Sequence, residues 1–213
     1  MSLRHYPSAR FEKKALKAGH RLIAGLDEAG RGPLAGPVVA AAVILREYDF
    51  RSRIDDSKRL TPKNRLRAYK EILQKSIYSV AAVYQGVIDG INIRNATKLA
   101  MEKAVIGLDV RPDLLLIDGT IKLEGPFKSQ SMIRGDGRCL SVACASIVAK
   151  VSRDRIMSNV HALYPKYGFM NHKGYGTLLH FNALKKYGPT PLHRFSFEPV
   201  KSFRRKTSKG GLI

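Results

Sequence analysis

Short apolar runs alternate with longer amphipathic stretches along this chain. The runs have the length of strands, and they predict strands at residues 22–26, 37–45, 78–87 and 113–117 and one that ends near Ile133. Gly30, Gly32, Pro33 and Gly36 follow the first run. The first two strands are therefore expected to be joined by a Gly- and Pro-rich turn.

The stretches between the strands have the spacing of helices. Thr61 followed by Pro62 is typical of an N-cap and a first helical position, and Gly188 with Pro189 is typical of a helix end. Helices are predicted in this way at residues 61–75, 93–108, 141–157 and 177–187. Strands that come early and then alternate with helices predict an α/β layered domain with a mixed sheet.

The same pattern suggests how the chain is organised. We expect a basic N-terminal arm at residues 1–20, a core at 21–160, a helical C-terminal subdomain at 161–200 and a basic tail at 201–213. No apolar run approaches the roughly 20 residues that a membrane helix needs. The N-terminus lacks a secretory signal, and the two cysteines cannot build a disulfide framework, so a cytoplasmic location is expected.

Charge narrows the range of partners. The 213 residues include 38 Lys and Arg but only 17 Asp and Glu, which gives a formal charge of +21. Such a surplus favours a polyanionic partner, and nucleic acid is preferred to a membrane surface. A chain from a generally basic proteome would carry similar charge without such a partner, so this alternative stays open.

Four acidic residues stand out against this basic background, because each follows a strand-like segment: Asp27, Glu28, Asp118 and Asp136. Carboxylates gathered at strand ends repel one another unless a divalent cation lies between them. Oxygen ligands favour Mg²⁺ or Mn²⁺ over zinc. Taken singly, the two later aspartates are equally well explained as turn openers and the first pair as a solvated loop pair. Together they indicate metal-dependent chemistry on a phosphodiester.

Five separated segments carry a family resemblance. They are GLDEAGRGPLAGPVVAAAVIL at residues 25–45, DDSKRL at 55–60, LIDG at 116–119, RGD with CASIVAKVSRD within 134–154, and YGFMNHKGYGT at 167–177. In sequence and order they resemble ribonuclease HII, the prokaryotic type 2 ribonuclease H, over nearly the whole chain. The resemblance implies a ribonuclease H-like mixed sheet flanked by helices, with a helical C-terminal extension.

The activity that the resemblance implies is endonucleolytic cutting of RNA paired to DNA, including at single ribonucleotides in duplex DNA. It assigns two metal ions, Mg²⁺ or Mn²⁺, to the same carboxylates, Asp27, Glu28, Asp118 and Asp136, with Asp27 as the candidate that bridges both ions. The implied cut lies 5′ of the ribonucleotide and leaves a 3′-hydroxyl and a 5′-phosphate.

The family's Gly-Arg-Gly element falls on Gly30, Arg31 and Gly32. Glycines let the backbone approach a sugar edge, where the 2′-hydroxyl distinguishes RNA from DNA. A tight turn would need the same glycines for conformational reasons alone.

Three further residues are implied in substrate binding. Tyr175 resembles the family tyrosine that packs on the sugar at the RNA-to-DNA junction, and Ser57 with Lys58 matches a phosphate-binding turn. Without the resemblance, Tyr175 would be an ordinary half-buried aromatic and Lys58 a solvated loop lysine. None of His172, His180 and His193 is expected to be a metal ligand.

Two other functions fit parts of the pattern. A nonenzymatic basic module that binds RNA or hybrid would use the same charge but would need no acidic cluster. Another nuclease of the same superfamily, such as a resolvase, would use the carboxylates on a different duplex. We expect a monomer, because a duplex must enter an open groove and no exposed apolar stripe indicates a partner.

Overall fold

The computed structural model describes the backbone of residues 6–207 and the side chains of residues 6–203. Its strands are β1 (Ile23–Ala29), β2 (Val38–Leu45), β3 (Ser76–Val83), β4 (Leu114–Asp118) and β5 (Lys128–Met132). They form one sheet in the order β3-β2-β1-β4-β5. β2 is antiparallel to β1 and β3, whereas β4 is parallel to β1 and to β5. The predicted mixed sheet is confirmed.

Helices cover both faces of this sheet. They are α1 (Arg10–Lys17), α2 (Pro62–Lys75), α3 (Gln85–Ile106), α4 (Leu140–Leu163), α5 (Phe169–His172), α6 (Leu178–Tyr187) and α7 (Val200–Thr207). α3 packs on one face, and α4 with α2 packs on the other. The predicted start of α2 is confirmed, since the Thr61 hydroxyl accepts a hydrogen bond from the Asn64 amide at 3.3 Å. The last three helices form the C-terminal extension.

Small residues let α4 lie directly on the centre of the sheet. Ala24 and Leu26 of β1 face α3, so Gly25 between them faces α4. A Cβ atom at Gly25 would lie 2.2 Å from the carbonyl carbon of Ser141 in α4. The first turn of α4 therefore contacts β1 at Gly25, two residues before Asp27.

The prediction of a strand at residues 78–87 is wrong at its C-terminal end. β3 stops at Val83, and α3 begins at Gln85, where the amides of Val87 and Ile88 donate to the carbonyl of Tyr84. Asn92 interrupts this helix with φ 65° and caps its second part by accepting from the Asn95 amide at 3.1 Å. Apolar residues at a strand end and at a helix start look alike in a short window, and the pattern could not separate them.

The ends of the chain add to the fold where they are described. α1 lies within the predicted arm, and its Glu12 and Ala15 are buried beside the start of α4. α4 runs across residue 160, and the proposed domain limits stay predictions. Residues 208–213 of the expected tail, and the side chains of 204–207, lie outside the described residues. No helix in the described part of the chain is long and apolar enough to cross a membrane.

Candidate active site

The central strand carries two of the four predicted carboxylates. β1 pairs with β2 as far as Ala29, so Asp27 and Glu28 lie within the strand and not after it, as the sequence had suggested. Leu26 pairs with Ile117 of parallel β4, and the next step of this register sets Asp27 beside Asp118. Both of these side chains point to the face that α4 covers, since Gly25 does so two residues earlier.

A short turn brings in the fourth carboxylate. β5 ends at Met132, and a 3-10 turn follows at Gly135–Gly137. The amide of Gly135 donates to Oδ1 of Asp118 at 2.7 Å, which ties this turn to the end of β4. Asp136 therefore follows β5 at a distance of several residues and reaches the cluster through the turn.

Burial and mutual repulsion shift the pKa values of these carboxyl groups. Burial, and then the neighbouring charges of Glu28, Asp118 and Asp136, raise the pKa of Asp27 well above its ordinary value. Burial also raises the pKa of Glu28, against the opposing effect of Arg31. The pKa of Asp136 is raised by burial, by Asp56 and by Asp118. The site thus holds more negative charge than its own protein groups neutralise.

Two cations border the cluster. Nη1 of Arg31 lies 3.3 Å from Oε1 of Glu28. Burial works against the charged form of Lys58, but the carboxylates of Asp56, Asp136, Asp27 and Asp118 still hold its pKa above the usual value. Lys58 therefore lies close to the predicted metal-binding groups, as a phosphate-binding residue must.

Ser57, its predicted partner, has a different environment. Its side chain is buried, and its hydroxyl accepts a hydrogen bond from Ser146 of α4 at 2.9 Å. Arg65 donates to its carbonyl at 2.8 Å, and the Lys58 amide donates to Oδ1 of Asp56 at 2.9 Å. Ser57 thus anchors the loop that presents Lys58.

The predicted Gly-Arg-Gly element lies next to the predicted tyrosine. Gly30 has φ 96°, and a Cβ atom there would lie 2.0 Å from Nε of Arg153. A Cβ atom at Gly32 would lie 4.0 Å from Cε1 of Tyr175. Tyr175 is 42% exposed, so its ring is open to a ligand beside this turn.

Two buried arginines that the sequence analysis missed donate hydrogen bonds to backbone carbonyls in and after the Gly-Arg-Gly element. Arg194 donates to the carbonyls of Gly30 and Arg31, and to that of Gly36 at 3.0 Å. Arg153 donates to the carbonyls of Ala35, Pro37 and Lys173. An arginine inside the small-residue segment of α4 was the one signal in the sequence that could have pointed to Arg153.

The donor set fits a hard divalent cation. Every candidate ligand is a carboxylate, which is the group that Mg²⁺ and Mn²⁺ prefer, and cations between these groups would relieve the repulsion that raises their pKa values. Among the described side chains, no group of three or more acids, histidines or cysteines is arranged so that it could already hold a metal ion. The pKa shifts show that these carboxylates interact with one another, and they are the side chains that would hold the ions.

Comparisons with known proteins agree with this arrangement. Residues 24–200 match the family model described as Ribonuclease HII. Ribonuclease HII of Caldicellulosiruptor bescii is 51% identical over 187 residues, which cover 87% of this chain and 91% of that protein. Ribonuclease HII of Enterococcus faecalis is 51% identical over 194 residues, covering 91% of this chain and 76% of that protein.

A solved structure has the same architecture. The crystal structure of ribonuclease H2 from Pyrococcus horikoshii OT3 superposes with a TM-score of 0.75 at 25% identity, and the match covers 89% of this chain and all of that one (100%). The predicted ribonuclease H-like fold is therefore confirmed, and a purely binding module no longer fits. The chain belongs to the ribonuclease HII family and is an endoribonuclease, a type 2 ribonuclease H that acts on RNA:DNA hybrids.

Proposed function

We propose that this chain cuts both long RNA:DNA hybrids and DNA duplexes that contain a single ribonucleotide. The cut lies on the 5′ side of the ribonucleotide and leaves a 3′-hydroxyl and a 5′-phosphate. One observation carries the proposal: interacting carboxylates, of which Asp27 is buried, lie beside Lys58. The Gly30–Gly32 turn follows Glu28 directly in the sequence and lies beside the partly exposed Tyr175.

In this proposal Asp27, Glu28, Asp118 and Asp136 hold two divalent cations, Mg²⁺ or Mn²⁺. Asp27 is the candidate to contact both, because it lies in the central strand and interacts with each of the other three acids. Two such ions, when bound, activate the attacking water and offset charge on the leaving oxygen. The protein's own part is to hold four negative groups in place, and hydrogen bonds from backbone amides to Asp27 and Asp118 support it.

The residues around the carboxylates would select the substrate. Gly30 and Gly32 carry no side chain, so the backbone of the turn can approach a sugar and hydrogen-bond its 2′-hydroxyl, which only a ribonucleotide has. Lys58 would contact a phosphate, and the Tyr175 ring would pack on the sugar at the RNA-to-DNA junction. Ser57 would act by fixing the loop that carries Lys58.

The net positive charge of the chain would attract nucleic acid regardless of its sequence. A net charge of +21 raises the local concentration of a polyanionic duplex and makes its affinity fall with salt. We further propose a monomer that works in the cytoplasm, since a duplex needs an open groove.

Cleavage of a labelled DNA duplex with one ribonucleotide tests the proposal. We expect one cut just 5′ of the ribonucleotide with Mg²⁺ or Mn²⁺, and none in the presence of a chelator. Asp27→Asn keeps the shape of the side chain but removes its charge, and it should slow cleavage about a thousandfold, the equivalent of about 4 kcal/mol of lost electrostatic stabilisation.

Asp109→Asn makes the same chemical change at an exposed position and should leave the rate unchanged. Full activity of the Asp27 variant would refute the assignment of the carboxylates. Cutting of long hybrids alone would leave the carboxylates in place and remove the proposed action on embedded ribonucleotides.

A further inference from the structure

Tyr175 stands on a turn whose backbone is held tightly. Lys173 and Gly174 before it both have left-handed φ values, 51° and 87°. The Tyr175 amide donates to the carbonyl of His172 at 2.9 Å, and the Tyr175 carbonyl accepts from the Thr177 amide at 2.9 Å. The ring can therefore keep its place beside the Gly-Arg-Gly turn although two-fifths of the residue is exposed.

A chain of two histidines ends on the same carbonyl. The backbone amide of Thr190, which can only donate, donates to Nδ1 of His193 at 2.9 Å. The proton of the neutral His193 ring must then be on Nε2, which lies 3.0 Å from Nε2 of His180. His180 therefore accepts there and carries its own proton on Nδ1, 2.9 Å from the carbonyl oxygen of Tyr175.

The two hydrogen-bonded histidines lie in a buried part of the C-terminal extension. His180 and His193 are fully buried, and burial lowers the pKa of each to about 4. His172 of α5 stacks on His180 with ring centroids 4.5 Å apart. Tyr167 faces His193 at 5.4 Å, and the edge of Phe169 meets His180 at 5.5 Å. Each ring nitrogen of His180 and His193 has at least one hydrogen-bond partner, and Nδ1 of His193 also lies 2.9 Å from the Thr190 hydroxyl and 3.3 Å from its carbonyl.

Packing alone does not explain this chain. Burying two imidazoles costs free energy that an apolar side chain of similar size would not cost, unless every polar atom is paired. Here every ring nitrogen of His180 and His193 is paired, and the series has one direction, from Thr190 to Tyr175. The polar chain thus ends at the residue that the proposed function places against the substrate.

We propose that His180, oriented by His193, is a positioning residue for Tyr175, and that it thereby sets the preference for a ribonucleotide that is joined to DNA. The hydrogen bond from Nδ1 of His180 fixes the peptide plane after Tyr175 and so the direction of the ring. This inference rests on the proposed contact of Tyr175 with the junction sugar.

The test compares kcat/KM on two substrates, a DNA duplex with one ribonucleotide and a continuous RNA:DNA hybrid. In His180→Leu the ratio of the two values should fall about tenfold, because a less well oriented ring loses its contact only where a junction is read. His180→Asn keeps an N–H donor near the position of Nδ1 and should restore most of the ratio. His180→Gln places its amide near Nε2 instead and should behave as the leucine variant does.

Leu184→Ala is the matched control for stability. Leu184 is fully buried in the same helix α6, where it packs in an apolar cluster with Leu34 and Val200. Its loss should lower the melting temperature and leave the substrate ratio unchanged. An unchanged ratio in both His180→Leu and His180→Gln, or an equal fall in Leu184→Ala, would overturn the inference.

Tyr175→Ala separates this inference from the function on which it rests. If that variant keeps the wild-type ratio, then the proposed role of Tyr175 fails. If it lowers the ratio whereas His180→Leu does not, then only the positioning role of His180 fails.

Discussion

Two neighbouring regions of this molecule each gather side chains of a single charge, and they differ in how that charge is compensated. Arg153 and Arg194 lie fully buried behind the Gly-Arg-Gly turn, and each donates three hydrogen bonds to backbone carbonyls. Neither pairs with a carboxylate in the described part of the chain. Asp27 and its acidic neighbours, by contrast, lie against one another. Neutral dipoles satisfy the arginines, whereas the carboxylates remain in mutual repulsion.

The directions of the pKa shifts express this difference. Burial, and then the neighbouring charge of Arg153, lower the pKa of Arg194 to about 9, so the guanidinium still carries its charge at neutral pH. Burial and like charges together raise the pKa of Asp27 well above its ordinary value, towards the neutral form. A buried charge whose hydrogen bonds are satisfied is typical of the scaffold, whereas carboxylates that raise one another's pKa values are a candidate site for a cation.

The largest effect on stability is expected at Arg194. Arg194→Met has a similar length but leaves the carbonyls of Gly30, Arg31 and Gly36 without their donor. It should lower the free energy of unfolding by about 3 kcal/mol or more, since hydrogen bonds from charged donors contribute about 1.5–3 kcal/mol each. Urea denaturation measures this loss, and Arg111→Met at an exposed position is the control. A loss no larger than that of the control would break the comparison.

The histidine chain extends the satisfied region and predicts a pH dependence. His180 and His193 have an ordinary pKa of 6.5 that burial lowers to about 4. Between these values the unfolded chain binds protons that the folded protein excludes, so stability falls as the pH drops below about 6.5. Near pH 5.5 unfolding should take up about 1.8 protons from this pair, a slope of about 2.4 kcal/mol per pH unit.

The slope of the unfolding free energy between pH 6.5 and 5 is the measurement. These limits lie at about the pKa of a free histidine and above the ordinary range of carboxylates. The raised pKa values of Asp27, Glu28 and Asp136 act in the opposite direction, so the wild-type slope is compared with that of His180→Leu. A wild-type slope no steeper than that of His180→Leu would mean that the His180 ring is charged, or exposed, in the folded protein.

A smaller effect is expected when divalent cations are added. Ions that bind the repelling carboxylates of the folded protein should stabilise it by about 2.7 kcal/mol at a concentration of one hundred times Kd. For a chain of this size, this corresponds to a rise in the melting temperature of about 5–10 °C. The rise should be absent or much reduced in Asp118→Asn. An equal rise in wild type and variant would show that the ions bind elsewhere.

The sequence predicted one of the two regions much better than the other. Asp27 and Asp118 follow apolar runs in adjacent positions of the sheet, and the pattern of a strand is local, so their neighbourhood could be inferred from short windows. The exact end of β1 could not, because pairing with β2 across both acids decided it. Asp136 reaches the cluster through a 3-10 turn that has no clear signature in composition.

The satisfied region depends on contacts between distant parts of the chain. Arg194 bonds to Gly30, which lies 164 positions earlier, and Arg153 to Ala35, 118 positions earlier. His193 and His180 meet only because α6 and the segment after it fold back on each other. No periodicity or motif indicates such pairings, so the common role of the histidines was not predicted.

The free energy of unfolding of Asp27→Asn, measured in chelator beside the wild-type protein, tests the central claim most directly. The asparagine keeps an acceptor for the Glu28 amide, which lies 2.7 Å from Oδ1 of Asp27, and removes one of the repelling charges. If the carboxylates repel one another in the absence of cations, then this variant should be more stable than wild type by about 1–2 kcal/mol. A variant that is equally stable or less stable would contradict the account, because Asp27 would then be a satisfied part of the scaffold.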